Sequence, residues 1–124
     1  FGLTRMLIRL LKTVKADLEE DGTCIDFSSF DVCSLVYRMP DQYIVQRLHL
    51  PLDILDRFLQ WMRSSITEDS IRSKVLVIDD SRRIFDSEDK KSGAKLLFNA
   101  LHEIYQGALC EQGGRVLLSE SHLR

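Results

Sequence analysis

The sequence predicts a mainly α fold, a compact bundle of four to five helices with one short β element near residues 74–85. Three observations carry that reading. Apolar residues recur at helical spacing in three long segments, Leu3 to Leu18, Leu52 to Met62 and Ala94 to Ala108. Only one run, "KVLVID" at Lys74–Asp79, is β-branched and apolar in the manner of a short buried strand. Gly22, Pro40 and the Gly113-Gly114 pair stand where helices would have to stop.

In chain order, Leu3, Met6, Leu7, Leu10, Leu11, Val14 and Leu18 form one stripe, with Arg5, Arg9, Lys12 and Lys15 on the other sides. Glu19-Glu20-Asp21-Gly22 ends that helix, because glycine takes a positive φ without a steric penalty. Cys24 to Phe27 reads as an extended approach. Ser28 or Ser29 then caps a second helix through Val32, Leu35, Val36 and Met39, which Pro40 ends because it has no N–H to donate. Asp41 to Leu50 reads as an irregular or helical connection. Pro51, pre-set for a first helical turn, opens a third helix to about Ser64, and Thr67 with Glu68 caps a small extra turn. After the strand, Asp79-Asp80-Ser81 is its turn and Ile84-Phe85 a return strand. Asp86-Ser87 caps a long helix with a stripe of Ala94, Leu97, Leu101, Ile104, Tyr105 and Ala108, closed by the two glycines. Residues 1–114 thus form a single lobe and 115–124 a tail.

Composition narrows function by exclusion. A chain of 124 residues with 44% hydrophobic content buries a core without staples. Its 17 basic and 19 acidic side chains leave a net charge of −2, so no overall field draws in nucleic acid or an anionic membrane, and a polyanion site has to be local. Cys24, Cys33 and Cys110 form no CxxC pair, which argues against a disulfide framework or a zinc site and sets a reducing cytoplasm as the expected location. No apolar run approaches the roughly 20 residues of a membrane span. The sequence opens Phe1-Gly2-Leu3-Thr4 without an initiator Met and is at once helical in pattern, so a fragment is expected whose N-terminal neighbour is missing.

Most chemistry-bearing residues have a plain structural reading. The acids Asp79, Asp80, Asp86, Glu88 and Asp89 lack the register and bend glycine of a calcium loop and read as a turn and a helix cap. Paired acids after a strand also occur in response-regulator receivers, but too little chain follows Asp80 to build that alternating fold. His49, His102 and His122 stand singly, and Trp61, among Phe58, Leu59 and Met62, reads as core. Ser28-Ser29-Phe30 also has a plain reading, a helix cap followed by a core aromatic with Lys12 and Lys15 as a solvated face, but it admits a second one. A serine at a helix start offers a hydroxyl and unpaired N–H groups to an anion, and the helix dipole adds to the attraction. Lysines on a neighbouring helix neutralise phosphates as mobile point charges, and an aromatic next to the serine presents its face to a base.

The run "LIRLLKTVKADLEEDGTCIDFSSFDVCSLVY" resembles the helical lobe of nucleotidyltransferases of the DNA polymerase beta superfamily, the poly(A) polymerase, terminal uridylyltransferase and oligoadenylate-synthetase-like group. Those lobes carry a Lys-bearing helix, a loop and a Ser-Tyr motif opening the next helix. Lys12, Lys15 and Ser28-Ser29-Phe30 stand in those places, with Phe for Tyr, so the ring face is kept and its hydroxyl lost. The resemblance implies an NTP substrate, ATP or UTP, whose triphosphate is held by Ser29 and the lysines and whose base lies on Phe30. It implies an N-terminal catalytic lobe as partner, bringing Gly-Ser, Asp-x-Asp and Mg2+, none of which has a counterpart here. RNA is a possible acceptor. The apolar face of the first helix, with Phe1 and Leu3, is expected to meet that lobe. The competing expectation is an all-helical protein–protein interaction module without a nucleotide.

Overall fold

The computed structural model describes residues 2–43 and 51–123, with side chains at 2, 4–43 and 52–110. Among the described residues there are five α-helices, α1 (Gly2–Glu20), α2 (Ser29–Tyr37), α3 (Pro51–Thr67), α4 (Asp69–Arg72) and α5 (Glu88–Leu123), with a 3-10 turn at Asp41–Tyr43. The mainly α class and the helix number are those read from the sequence. Phe1, the Leu3 side chain and most of the Asp41–Leu50 connection lie outside the described residues.

The stripes converge on one core. α1 contributes Leu7, Leu11 and Val14, α2 Val32, Leu35 and Val36, α3 Ile54, Leu55, Phe58, Leu59, Trp61, Met62 and Ile66, and α5 Ala94, Leu97 and Leu101. Helix α3 packs along α5, and α1 packs on both α2 and α5. The α2 stripe is short, and nine residues of isolated helix are marginal in water, so α2 depends on these neighbours. Gly22 takes φ 94° at the turn after α1, as its position requires. Ile25 and Phe27 then anchor the extended approach to α2, with Phe27 stacked on Phe85 at 5.8 Å.

Four expectations need correction. The β element shrinks to one antiparallel bridge, Leu76 with Arg83. The buried side chains Val75, Val77, Ile84 and Phe85 are those of a strand pair, and Val77 N and Ile84 N bond Arg82 O and Val75 O across it, but the remaining polar groups go to Ser34 of α2 and to Arg38 at its C-cap: the Arg38 guanidinium donates to the carbonyls of Leu76, Val77 and Ile78, and Ser34 Oγ accepts from Ile78 N at 3.1 Å. The backbone of α5 continues past Gly113-Gly114 to Leu123. Glycine weakens a helix by about 1 kcal/mol relative to alanine, but it stops one by turning left-handed, and among the described residues only Gly22 and Asp80 have positive φ. Ile104, assigned to the buried stripe, is 45% exposed. Thr67 closes α3 instead of capping α4, whose cap is Glu68.

Candidate functional site

The α2 N-terminus is a closed capping box. Ser28 Oγ accepts from Asp31 N at 3.1 Å, and Asp31 Oδ2 accepts from both Ser28 N and Ser28 Oγ, each at 2.9 Å. These bonds commit the single hydroxyl proton of Ser28 and two of the amides at the helix start. Val32 N already bonds Ser28 O. What remains outward is the next pair: Ser29 is exposed, Phe30 is 43% exposed, and neither amide has a partner among the described residues. The two serines therefore divide the work, with Ser28 building the helix start and Ser29 offering a hydroxyl at its surface.

Beneath that surface lies a cluster whose parts are far apart in sequence. Asp31 is 0% exposed, and its carboxylate receives Arg82 Nη2 at 2.6 Å on one oxygen and Lys90 Nζ at 2.7 Å on the other. Asp86 approaches Arg82 at 3.8 Å, and Asp26 approaches Lys90 at 4.0 Å. Burial alone pushes the Asp31 carboxyl up; the bonds from Lys90 and Arg82, then those from Ser28, outweigh it and hold the group below its usual value. Arg82 and Lys90 are thereby spoken for, and neither counts as a spare cation for phosphate. The sequence offers the capping signature, Ser with an acid three residues on, but no signal for the two cations, which come from the 74–86 hairpin and from α5.

The lysines sit on the helix next door. Lys12 is exposed on α1 with no ion-pair partner among the described residues, and Lys15 is mostly buried and reaches Glu19 at 3.7 Å. No hydrogen bond or ion pair joins either lysine to Ser28, Ser29 or Phe30; the helices that carry them pack together. The acids read from sequence as a turn and cap behave so: Asp79 Oδ1 accepts from Ser81 N at 3.1 Å, and Ser87 Oγ accepts from Lys90 N at 3.2 Å. Among the described residues no three His, Cys, Asp or Glu side chains converge as metal ligands. Nor is any described helix long and apolar enough to cross a membrane. Trp61 is core, its indole donating to Leu35 O at 2.9 Å.

Against known proteins, residues 4–106 match the model of the cGAS/DncV-like nucleotidyltransferase C-terminal helical domain. The cyclic dinucleotide synthase CdnE of Yersinia aleksiciae is 27% identical over 117 residues, which is 92% of this chain and 30% of that protein. The chain thus spans under a third of the curated relative it matches. No solved structure matches. The matched span takes in α1, the capped start of α2, the 74–86 hairpin and most of α5, and this chain belongs to the cGAS/DncV-like nucleotidyltransferase C-terminal helical domain family.

Proposed function

We propose that this lobe grips the NTP substrate of a nucleotidyltransferase, with catalysis carried by an N-terminal lobe on the rest of the protein. The observation that carries the reading is the division at the α2 start. Ser28 and Asp31 close the cap, while Ser29 and Phe30 are exposed on a helix that packs against a lysine-bearing one, and their amides have no partner among the described residues. Lys12 lies about 12 Å back along the α1 axis from Glu20, on the helix that packs against α2. In this reading Ser29 and the two amides take phosphate oxygens, Lys12 and Lys15 neutralise the triphosphate, and Phe30 stacks on the base, a contact of about 1–3 kcal/mol.

Metal chemistry belongs with the other lobe. Mg2+ would polarise the phosphates and stabilise the leaving pyrophosphate there; the lobe described here has no convergent donor set for it among its described residues. The name of the Yersinia relative suggests two nucleotides joined in a ring as the product, and we extend that class to the parent of this chain. In this reading the exposed surface at Ser29 and Phe30 is one wall of a cleft whose other wall is the catalytic lobe.

The test is a comparison of affinities in the full-length protein. Lys12→Ala is expected to weaken ATP or UTP about tenfold and the matching nucleosides hardly at all, because a lysine near the surface contributes charge attraction. Phe30→Ala should weaken nucleotide and nucleoside alike, by roughly 1–3 kcal/mol. Equal losses from both changes would mean general unfolding, and no loss from either would reject the grip.

A further inference from the structure

We propose that Asp31 is a positioning residue of this nucleotide site, one that touches no substrate and sets the place and pitch of the Ser29–Phe30 turn by tying it to α5 and to the 74–86 hairpin. The inference rests on the nucleotide-grip reading and adds to it a residue that the sequence motif does not contain. The argument starts from an excess. A capping box on a surface helix is complete with the Ser and the acid, and it works half in water. Here the acid is fully buried and bonded to four donors: Ser28 N, Ser28 Oγ, Arg82 Nη2 and Lys90 Nζ. Burying a carboxylate against two cations is a poor route to stability, since their desolvation offsets most of the attraction, while the bonds themselves fix direction closely.

That direction is what a grip needs. The capping bonds hold the helix start to the carboxylate, and the two cations hold the carboxylate to elements 51 and 59 residues away. A second contact on α5 locks the same place from the approach side. One turn on from Lys90, Gly93 lies so close to the Asp26 backbone that a Cβ there would stand 3.0 Å from Asp26 N and 3.1 Å from Asp26 C. Lys90 and Gly93 share a face of α5 at i, i+3 spacing. That face therefore meets the chain on both sides of Ser28, at Asp26 and at Asp31, and leaves the outward turn of Ser29 and Phe30 with one seat.

The experiment uses the full-length protein, with ATP and UTP plus magnesium as probes and circular dichroism to choose a temperature at which each variant is fully helical. Asp31→Asn, which keeps an acceptor for the cap and drops the charge, is expected to raise both dissociation constants about tenfold, in line with the sensitivity of positioned groups to small displacements. Lys90→Gln should give a smaller rise in the same direction, and Lys90→Arg, which keeps the charge, should bind within about twofold of wild type. A purely structural role lowers the melting temperature of these variants and leaves the affinity of the folded protein alone. Wild-type affinity in folded Asp31→Asn and Lys90→Gln would overturn the proposal, and if Asp31→Asn does not fold, Lys90→Gln and Arg82→Gln decide it. Phe30→Ala runs alongside. Should it lower affinity while the others do not, only the positioning role fails; should it bind normally, the site reading fails and takes this inference with it.

Discussion

Ser28 and Ser29 are adjacent and chemically the same, yet only one is free to touch a ligand. The capping bonds at 2.9 and 3.1 Å consume Ser28, so Ser28→Ala should cost about 1 kcal/mol of stability as a lost cap, whereas Ser29→Ala should leave the unfolding midpoint nearly unchanged and act on triphosphate affinity. Chemical denaturation of the two variants separates these outcomes. Asp31 makes an acid-dependent contribution whose sign follows from its lowered pKa. The usual value is 3.8, so the stabilisation is whole above that pH and is lost as the pH falls through the lower value of the folded state. The charged groups facing it are Arg82 and Lys90, with Asp26 and Asp86 behind them. Stability curves of wild type and Asp31→Asn should therefore keep a constant separation above the usual value of 3.8 and draw together as the pH falls from there through the lowered value of the folded state. A cap at Ser28 or Ser29 was legible because capping needs only residues three apart. The burial of Asp31 was not, since it depends on side chains that only the tertiary fold delivers.

Helix α2 is held at both ends by the same hairpin. Arg82 meets its first turn, and from its last turn Arg38 reaches the carbonyls of Leu76 to Ile78 and Asp80 Oδ1 at 2.6 Å, which fits the left-handed turn at Asp80, φ 60°. This explains why "KVLVID" reads as a strand: Val75 and Val77 are buried as a strand's side chains would be and Val77 N bonds Arg82 O across the hairpin, but the carbonyls of Leu76 to Ile78 and the Ile78 amide go to Arg38 and Ser34. The third helix grips α2 too. Trp61 Nε1 donates to Leu35 O, while Met39 N turns to Val36 O, so Trp61→Phe strands a buried carbonyl and should cost about 1–3 kcal/mol in denaturant unfolding. On α5, Gly93→Ala sets helix propensity against contact. The change gains about 1 kcal/mol of propensity and loses about 1–3 kcal/mol to overpacking, and the loss prevails because Asp26 lies between two buried anchors, Ile25 and Phe27. A lower melting temperature for that variant is the expected result. The three long helices were legible from periodicity alone, while the end of α5 was not, because glycine composition does not reveal the sign of φ.

At the scale of the molecule, one core joins all the long helices, and the candidate site sits on its surface where α1, α2 and α5 meet. The family assignment accounts for that design. In the proposed reading a C-terminal helical domain supplies one wall of the nucleotide cleft, and a rigid wall is useful if the substrate is to be presented to chemistry on another lobe. The fold class could be read from the spacing of apolar residues, and the lobe from Lys12, Lys15 and Ser28-Ser29-Phe30; which serine is free, and what holds it, required three-dimensional neighbours. The most direct test of the grip is an amide-resolved titration of the full-length protein with ATP and with UTP in the presence of magnesium. The account predicts saturable shifts at Ser29 and Phe30, with changes at Lys12 and Lys15 that follow the triphosphate and are absent with adenosine or uridine. If saturating nucleotide leaves all four residues unmoved, this helix start is a cap and nothing more.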